Sequence, residues 1–194
     1  PDPKLVLETK IPKILRTLAT YSGKSTLILL PFSAYQVSCA EVPSENEPVL
    51  FRHFMRLVAE KLANEFHADG ISTGDNLAQV ASQTLQNLAC IDMGGKLPVH
   101  RPLLSYDKAE IIELSKKIGT YEISVEPYKD CCAIISKHPK TRLKPIAVEF
   151  YSRELDFDAL AETTVMQGSL AVFDPHEESM LMTPLRAEAT SVQR

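Results

Sequence analysis

Cys131 and Cys132 stand side by side in Pro127-Tyr128-Lys129-Asp130-Cys131-Cys132-Ala133-Ile134-Ile135-Ser136-Lys137. The thiolate is the nucleophilic form of cysteine and nearby cations favour it, so Lys129 and Lys137 suit a reactive sulfur here. Two buried thiols adjacent by chance are the competing reading, and the residues by themselves leave both open. A second constellation is Ser72-Thr73-Gly74-Asp75-Asn76-Leu77. Glycine lets a ligand approach the backbone, and the unpaired N–H groups at a helix start attract electron-rich groups. Asp75 or Asn76 would serve equally well as a plain helix cap, and Asp75 would repel a phosphate placed directly on it. Gln79, Gln83 and Gln86 then form a polar stripe at helical spacing, which faces water unless it flanks the glycine loop.

Lys108 follows Asp107, which begins a helix pattern with Glu110 three residues on and Gly119 at its end. A cation in the first turn opposes the helix dipole at a cost of about 0.3–1 kcal/mol unless an anion compensates. An anionic ligand, a neighbouring carboxylate or a solvated lysine each satisfies that argument. Gly23-Lys24-Ser25 has the ending of a phosphate-binding loop, but the first glycine of that motif would fall at Leu18 and the segment follows a helix rather than a strand. It reads as a turn with a solvated lysine. His53, His67, His100, His138 and His176 are too scattered for a local metal site, and no metal is expected.

The elements that must position these residues follow from periodicity. Ile11, Ile14, Leu15 and Leu18 lie on one face of a helix near 8–20, and Thr26 to Leu30 is a β-rich run closed by Pro31. Tyr35 to Cys39 reads as a short extended segment. Leu50, Phe54, Leu57, Val58 and Leu62 define a helix near 49–67. Strands near 69–73 and 97–101 and helices near 77–91 and 107–118 follow, with a further helix at Leu155 to Met166. Alternation of strands with helices predicts an α/β fold, a mostly parallel sheet with helices on both faces, whose ligands sit beyond the carboxyl ends of the strands. Residues 1–165 are expected to form one domain and 166–194 a loosely attached tail.

Composition narrows the class. The 194 residues are 44% hydrophobic and 24% charged, which excludes a disordered chain and permits one good core. No run approaches the ~18 apolar residues of a membrane span, and Pro1-Asp2-Pro3-Lys4 lacks a signal-peptide pattern, so a soluble, cytoplasmic protein is expected. Four cysteines without C-x-x-C spacing point away from a disulfide framework or a zinc site. The net charge of -4 argues against a wide nucleic-acid grip by these residues alone.

Taken together, Thr73-Gly74-Asp75-Asn76-Leu77-Ala78-Gln79-Val80-Ala81-Ser82-Gln83-Thr84-Leu85, Arg101-Pro102-Leu103 with Asp107-Lys108, Ile118-Gly119-Thr120, and the Cys132 segment through Ser136-Lys137 and Pro139 resemble the tRNA 4-thiouridine synthase (tRNA uridine 4-sulfurtransferase) family over residues 5 to about 165. The resemblance covers the later part of an ATP-pyrophosphatase domain of the adenine-nucleotide α-hydrolase type, incomplete at its N-terminus. It implies an enzyme that adenylates a tRNA uridine with ATP, transfers persulfide sulfur to form 4-thiouridine, and in many members also supplies sulfur for the thiamine thiazole. Arg52, Gly74 and Gln83 match nucleotide-binding positions, Lys108 a functional lysine and Cys132 the sulfur-carrying cysteine. ATP with Mg2+ is the implied cofactor of the complete enzyme. Implied partners are tRNA, held through regions absent from this chain, and a cysteine desulfurase; no membrane is expected, and a homo-oligomer is left open.

The departures are specific. The serine-glycine-glycine motif of the family's pyrophosphate loop occurs nowhere in the sequence, and Asp75 and Ala78 replace the usual glutamate and glycine. The chain alone is therefore expected to be inactive in thiolation. The alternative is a non-catalytic adenine-nucleotide-binding or sulfur-relay module.

Overall fold

The computed structural model describes residues 3–77, 82–127, 139–174 and 182–185. The chain divides into two compact units. The first comprises residues 1–31, 106–129 and 166–194, and the second residues 32–105 and 130–165.

The first unit opens with a single helical turn, α1 (Pro3–Val6), and the helix α2 (Lys10–Ser22). Thr9 caps α2 by accepting from the backbone N–H of Ile11, and Gly23 ends it at φ 74°, a left-handed conformation that costs glycine little. The chain then enters strand β1 (Ser25–Leu29). Gly23-Lys24 is the turn between α2 and β1, as the sequence suggests, but Lys24 is paired with Asp174 at 2.8 Å rather than simply solvated.

Strand β1 pairs antiparallel with β4 (Ser169–Phe173), from Ser25 opposite Phe173 to Leu29 opposite Ser169, and β4 pairs antiparallel with β5 (Thr183–Pro184). Two expectations are corrected here. The α/β class holds, but this sheet is antiparallel, and residues 169–173 are its middle strand rather than part of a loose tail. Leu170, Ala171 and Phe173 are buried, and at about 25 cal/mol per Å2 of apolar area that burial outweighs the weak local signal of a five-residue segment. Helix α6 (Lys108–Lys117) carries the predicted capping box between Asp107 and Glu110, and α7 (Tyr121–Ser124) follows Gly119. Lys10 Nζ donates to the carbonyls of Ser124 and Glu126 at 2.6 and 2.9 Å, satisfying acceptors at the end of α7 and tying it to α2.

The second unit is built around α4 (Glu47–Glu65), which begins with Glu47-Pro48 as a helix start favours. It buries Val49, Leu50, Phe54, Val58 and Ala63, and also His53 and Arg56, so its inward face is wider than the apolar stripe predicts. It packs against α5 (Leu85–Ile91), α8 (Pro145–Glu154) and β2 (Ile71–Ser72). Residues 33–38 form a helix, α3 (Ser33–Ser38), rather than an extended segment. Tyr35 decides this: it is fully buried, with its ring 4.9 to 6.0 Å from those of Phe32, Phe51, Phe54 and Phe157, the last in α9 (Phe157–Met166). Burying such a ring contributes about 2 kcal/mol or more, against a few tenths per residue of intrinsic preference.

Strands β2 and β3 (Val99–His100) are parallel, Ile71 opposite Val99 and Ser72 opposite His100, as the alternation predicts. The ladder continues through Thr73 N–H to His100 O at 3.0 Å and Leu77 N–H to Leu104 O at 3.0 Å. The helix expected over 77–91 is shorter. It begins at Leu85, after Thr84 adopts extended backbone and accepts from the N–H of Asn87; residues 78–81 lie outside the described residues.

Candidate nucleotide site

The loop Thr73–Asn76 leaves the carboxyl end of β2, where ligands of parallel strands bind. Its centre is Asp75, 5% exposed. Arg52 Nη1 of α4 donates to Asp75 Oδ1, Thr73 Oγ1 donates to Oδ2 at 2.7 Å, and Arg101 Nε, just after β3, donates to Oδ2 at 3.0 Å. Gln83 Nε2 donates to Oδ1 at 3.3 Å. Arg101 is held from its other side by both oxygens of Asp92 at 2.9 and 2.6 Å. Burial alone would raise the Asp75 carboxyl, but the hydrogen bonds from Thr73 and Arg101 and the charges of Arg52 and Arg101 outweigh it and hold it below the usual carboxylate value. Asp75 is thus an anion that anchors two guanidiniums and one amide. Asn76 Nδ2 donates to Leu103 O at 2.8 Å, which holds the end of the loop to the stretch after β3.

A cavity of about 450 Å3 opens on this cluster, lined by Arg52, Gly74, Asp75, Gln83 and Arg101 on the polar side and by Met55, Ala59, Ile71, Ile91 and Val99 on the apolar side. A flat aromatic base suits the apolar wall and an anion suits the guanidiniums. A Cβ built at Gly74 would meet no atom within 4 Å, so protein packing does not require glycine there and the space is left to the cavity. These residues fit an adenine nucleotide.

Three of the five predicted site residues therefore meet: Arg52, Gly74 and Gln83. Lys108 belongs to the first unit, where it is the exposed first residue of α6. Asp107 and Glu110 supply the neighbouring carboxylates, so the dipole argument for a bound anion there is met by the protein itself. Cys132 and Cys131 lie outside the described residues, as does Gln79; Gln86 is exposed on α5. Cys39 and Cys90 are buried and free, and burial pushes the Cys39 thiol up to about 11 and raises that of Cys90, which leaves both poor nucleophiles. Among the described residues no group of His, Cys, Asp or Glu could hold a metal, and no helix is long and apolar enough to cross a membrane.

Sequence reasoning passed over three residues of the site. The sequence alone marks Asp75 as a cap or a repulsive charge and Arg101 as part of a motif without a role. Arg56 is 5% exposed, donates from Nη2 to Glu60 at 2.5 Å and lies against Gly95, where a Cβ would fall 1.4 Å from Nη2. A buried cation on an otherwise amphipathic helix leaves no mark in periodicity, and the tolerance for Gly95 follows from a partner far away in sequence.

Residues 5–157 match the model of a family described as thiamine biosynthesis protein (ThiI). The chain is 40% identical over 171 residues to a probable tRNA sulfurtransferase of Lysinibacillus sphaericus, covering 87% of this chain and 42% of that protein. It is 41% identical over 151 residues to a probable tRNA sulfurtransferase of Clostridium acetobutylicum, covering 77% and 39%. A crystal structure of a 4-thiouridine synthetase in complex with RNA and bound ATP superposes with a TM-score of 0.78 at 37% identity, over 85% of this chain and 44% of that one. The chain spans about two fifths of the length of these curated relatives.

Proposed function

Since this chain belongs to the ThiI family, we propose that it is the nucleotide-holding, sulfur-carrying part of a tRNA uridine 4-sulfurtransferase that acts in the cytoplasm. The observation that carries this reading is the meeting of Arg52, Gly74 and Gln83 on one cavity at the carboxyl end of β2. The complete enzyme transfers AMP from ATP, accompanied by Mg2+, to the C4 oxygen of a tRNA uridine with loss of pyrophosphate; the outer sulfur of a cysteine persulfide then attacks C4 and displaces AMP, and a second thiol cleaves the sulfur–sulfur bond by forming a disulfide with that cysteine, which releases 4-thiouridine. Within it Arg52 binds phosphate oxygens, Gly74 admits the nucleotide to the backbone and Gln83 contacts adenine or ribose. Lys108 offsets charge growing on the departing AMP. Cys132 carries the sulfur, because attack at the activated C4 needs a polarizable thiolate or persulfide. The tRNA is gripped through regions outside this stretch, a cysteine desulfurase supplies the persulfide, and the same sulfur serves thiazole synthesis.

The test joins these residues to the upstream region of the Lysinibacillus sphaericus relative and measures 4-thiouridine in tRNA. ATP-dependent thiolation is expected, abolished by Cys132→Ser with nucleotide binding retained. Full thiolation by Cys132→Ser, or none by a fusion that binds both ATP and tRNA, contradicts the reading. The 194 residues alone are expected to form negligible 4-thiouridine.

A further inference from the structure

An amide side chain next to a ligand is ambiguous, since it can present either its N–H2 or its oxygen, and a protein that uses it for discrimination must fix which one faces inward. Gln83 is 7% exposed, lines the cavity and donates from Nε2 to Asp75 Oδ1 at 3.3 Å. An ionised carboxylate accepts and never donates, so the opposite amide orientation would set Gln83 Oε1 against Asp75 Oδ1 and lose the bond. No partner for Gln83 Oε1 stands among the described residues.

We propose that Asp75 is a specificity-determining positioning residue: by holding Gln83 Nε2 it leaves Gln83 Oε1 as an acceptor toward the cavity, which selects a base bearing an exocyclic amine, as adenine does at C6, over one bearing a carbonyl there. The inference rests on the proposed adenine-nucleotide site and adds to it the group that reads the base. The anchor is stable against protonation because Asp75 also accepts from Arg52, Thr73 and Arg101, which keep it charged. Those bonds fix the carboxylate as well, so it cannot turn away from Gln83 without breaking them. The apolar wall of Met55, Ile71 and Val99 would hold the ring without regard to its substituents, leaving discrimination to Gln83.

Calorimetric titration of the 194-residue chain with ATP, inosine triphosphate and N6,N6-dimethyl-ATP separates the possibilities. The wild type is expected to bind ATP about tenfold more tightly than either analogue, the order of what leaving one buried acceptor unsatisfied costs. Asp75→Asn lets Gln83 turn over, because asparagine can also donate, and the ratio of ATP to inosine triphosphate affinity is expected to fall toward one; Asp75→Glu, which keeps an acceptor-only group, is expected to restore a preference. A merely structural role would weaken both nucleotides alike and leave the ratio unchanged. Equal binding of all three by the wild type overturns the inference without touching the nucleotide site, and it decides the matter even where Asp75→Asn does not fold. A preserved ratio in folded Asp75→Asn overturns it too. Absence of binding by every nucleotide overturns the nucleotide site and this inference with it.

Discussion

Arg101 Nε donates to Asp75 Oδ2 at 3.0 Å, and the same guanidinium grips Asp92 at 2.9 and 2.6 Å, so the residue after β3 is fixed against the loop after β2. The arrangement is a local balance of charge. Asp75 and Asp92 offset Arg52 and Arg101 in a site where Asp75 and Arg101 are largely buried.

Removing the central anion takes the carboxylate from Arg52 and leaves Arg101 to Asp92 alone, and Asp75→Ala is expected to destabilise the protein by about 3 kcal/mol in urea unfolding. The acid limb follows from the same group. Its folded pKa lies below its unfolded value near 3.9, so its contribution is complete above that value and is lost as pH falls through the folded one. Asp75→Asn should flatten that part of the acid transition; an unchanged profile would show that Asp75 is not held charged by its neighbours.

His53 acts in the opposite sense. It is buried on α4 with Nδ1–H donating to Ile91 O at 3.0 Å, and burial, aided by the charge of Arg56, lowers its pKa. Below its unfolded value near 6.5 the unfolded chain takes up a proton that the folded chain refuses, so stability falls with pH across that window. A fall in stability is expected between pH 7.5 and 5.5, and His53→Gln should shrink that difference. Equal slopes for the two proteins would count against a buried neutral His53.

Asn87 is fully buried at the start of α5, donates from Nδ2 to Lys140 O at 2.9 Å and accepts at Oδ1 from Leu143 N–H at 2.9 Å. It therefore clamps the segment 140–143 to the helix that follows Gln83. Asn87→Ala strands two backbone groups and should cost about 2–4 kcal/mol, with faster hydrogen exchange at Leu143. Retained protection at that amide would exclude the clamp.

Gly95 is required by Arg56 rather than by its own backbone. Gly95→Ala should cost about 1–3 kcal/mol, since the guanidinium must move away from Glu60. In a double-mutant cycle with Arg56→Met the two costs should be far from additive. Additive costs would place the strain elsewhere.

What was legible in the sequence was local. The α2 face of Ile11, Ile14, Leu15 and Leu18, the Asp107–Glu110 capping box and the Gly119 stop all depend on residues a few positions apart. The β2 and β3 pair was legible too, because each strand closes at a clear break. Strand β4 was not: Ser169–Phe173 is five residues long and its partner β1 lies at the other end of the chain. Helix α3 was misread for a related reason, since the ring contacts that bury Tyr35 come from residues as distant as Phe157. At the site, Arg52, Gly74 and Gln83 were reached through family resemblance, whereas the role of Asp75 depends on four donors from three separate stretches and could only be read from their convergence.

The central claim is that this convergence builds an adenine-nucleotide site, and titration of the 194-residue chain with ATP and AMP tests it most directly. Saturable, weak binding of both with poor discrimination between them is expected, reduced at least about tenfold by Arg52→Ala, the loss of one charge-assisted phosphate contact, and similarly by Gln83→Ala. No binding, or binding that neither substitution affects, contradicts it.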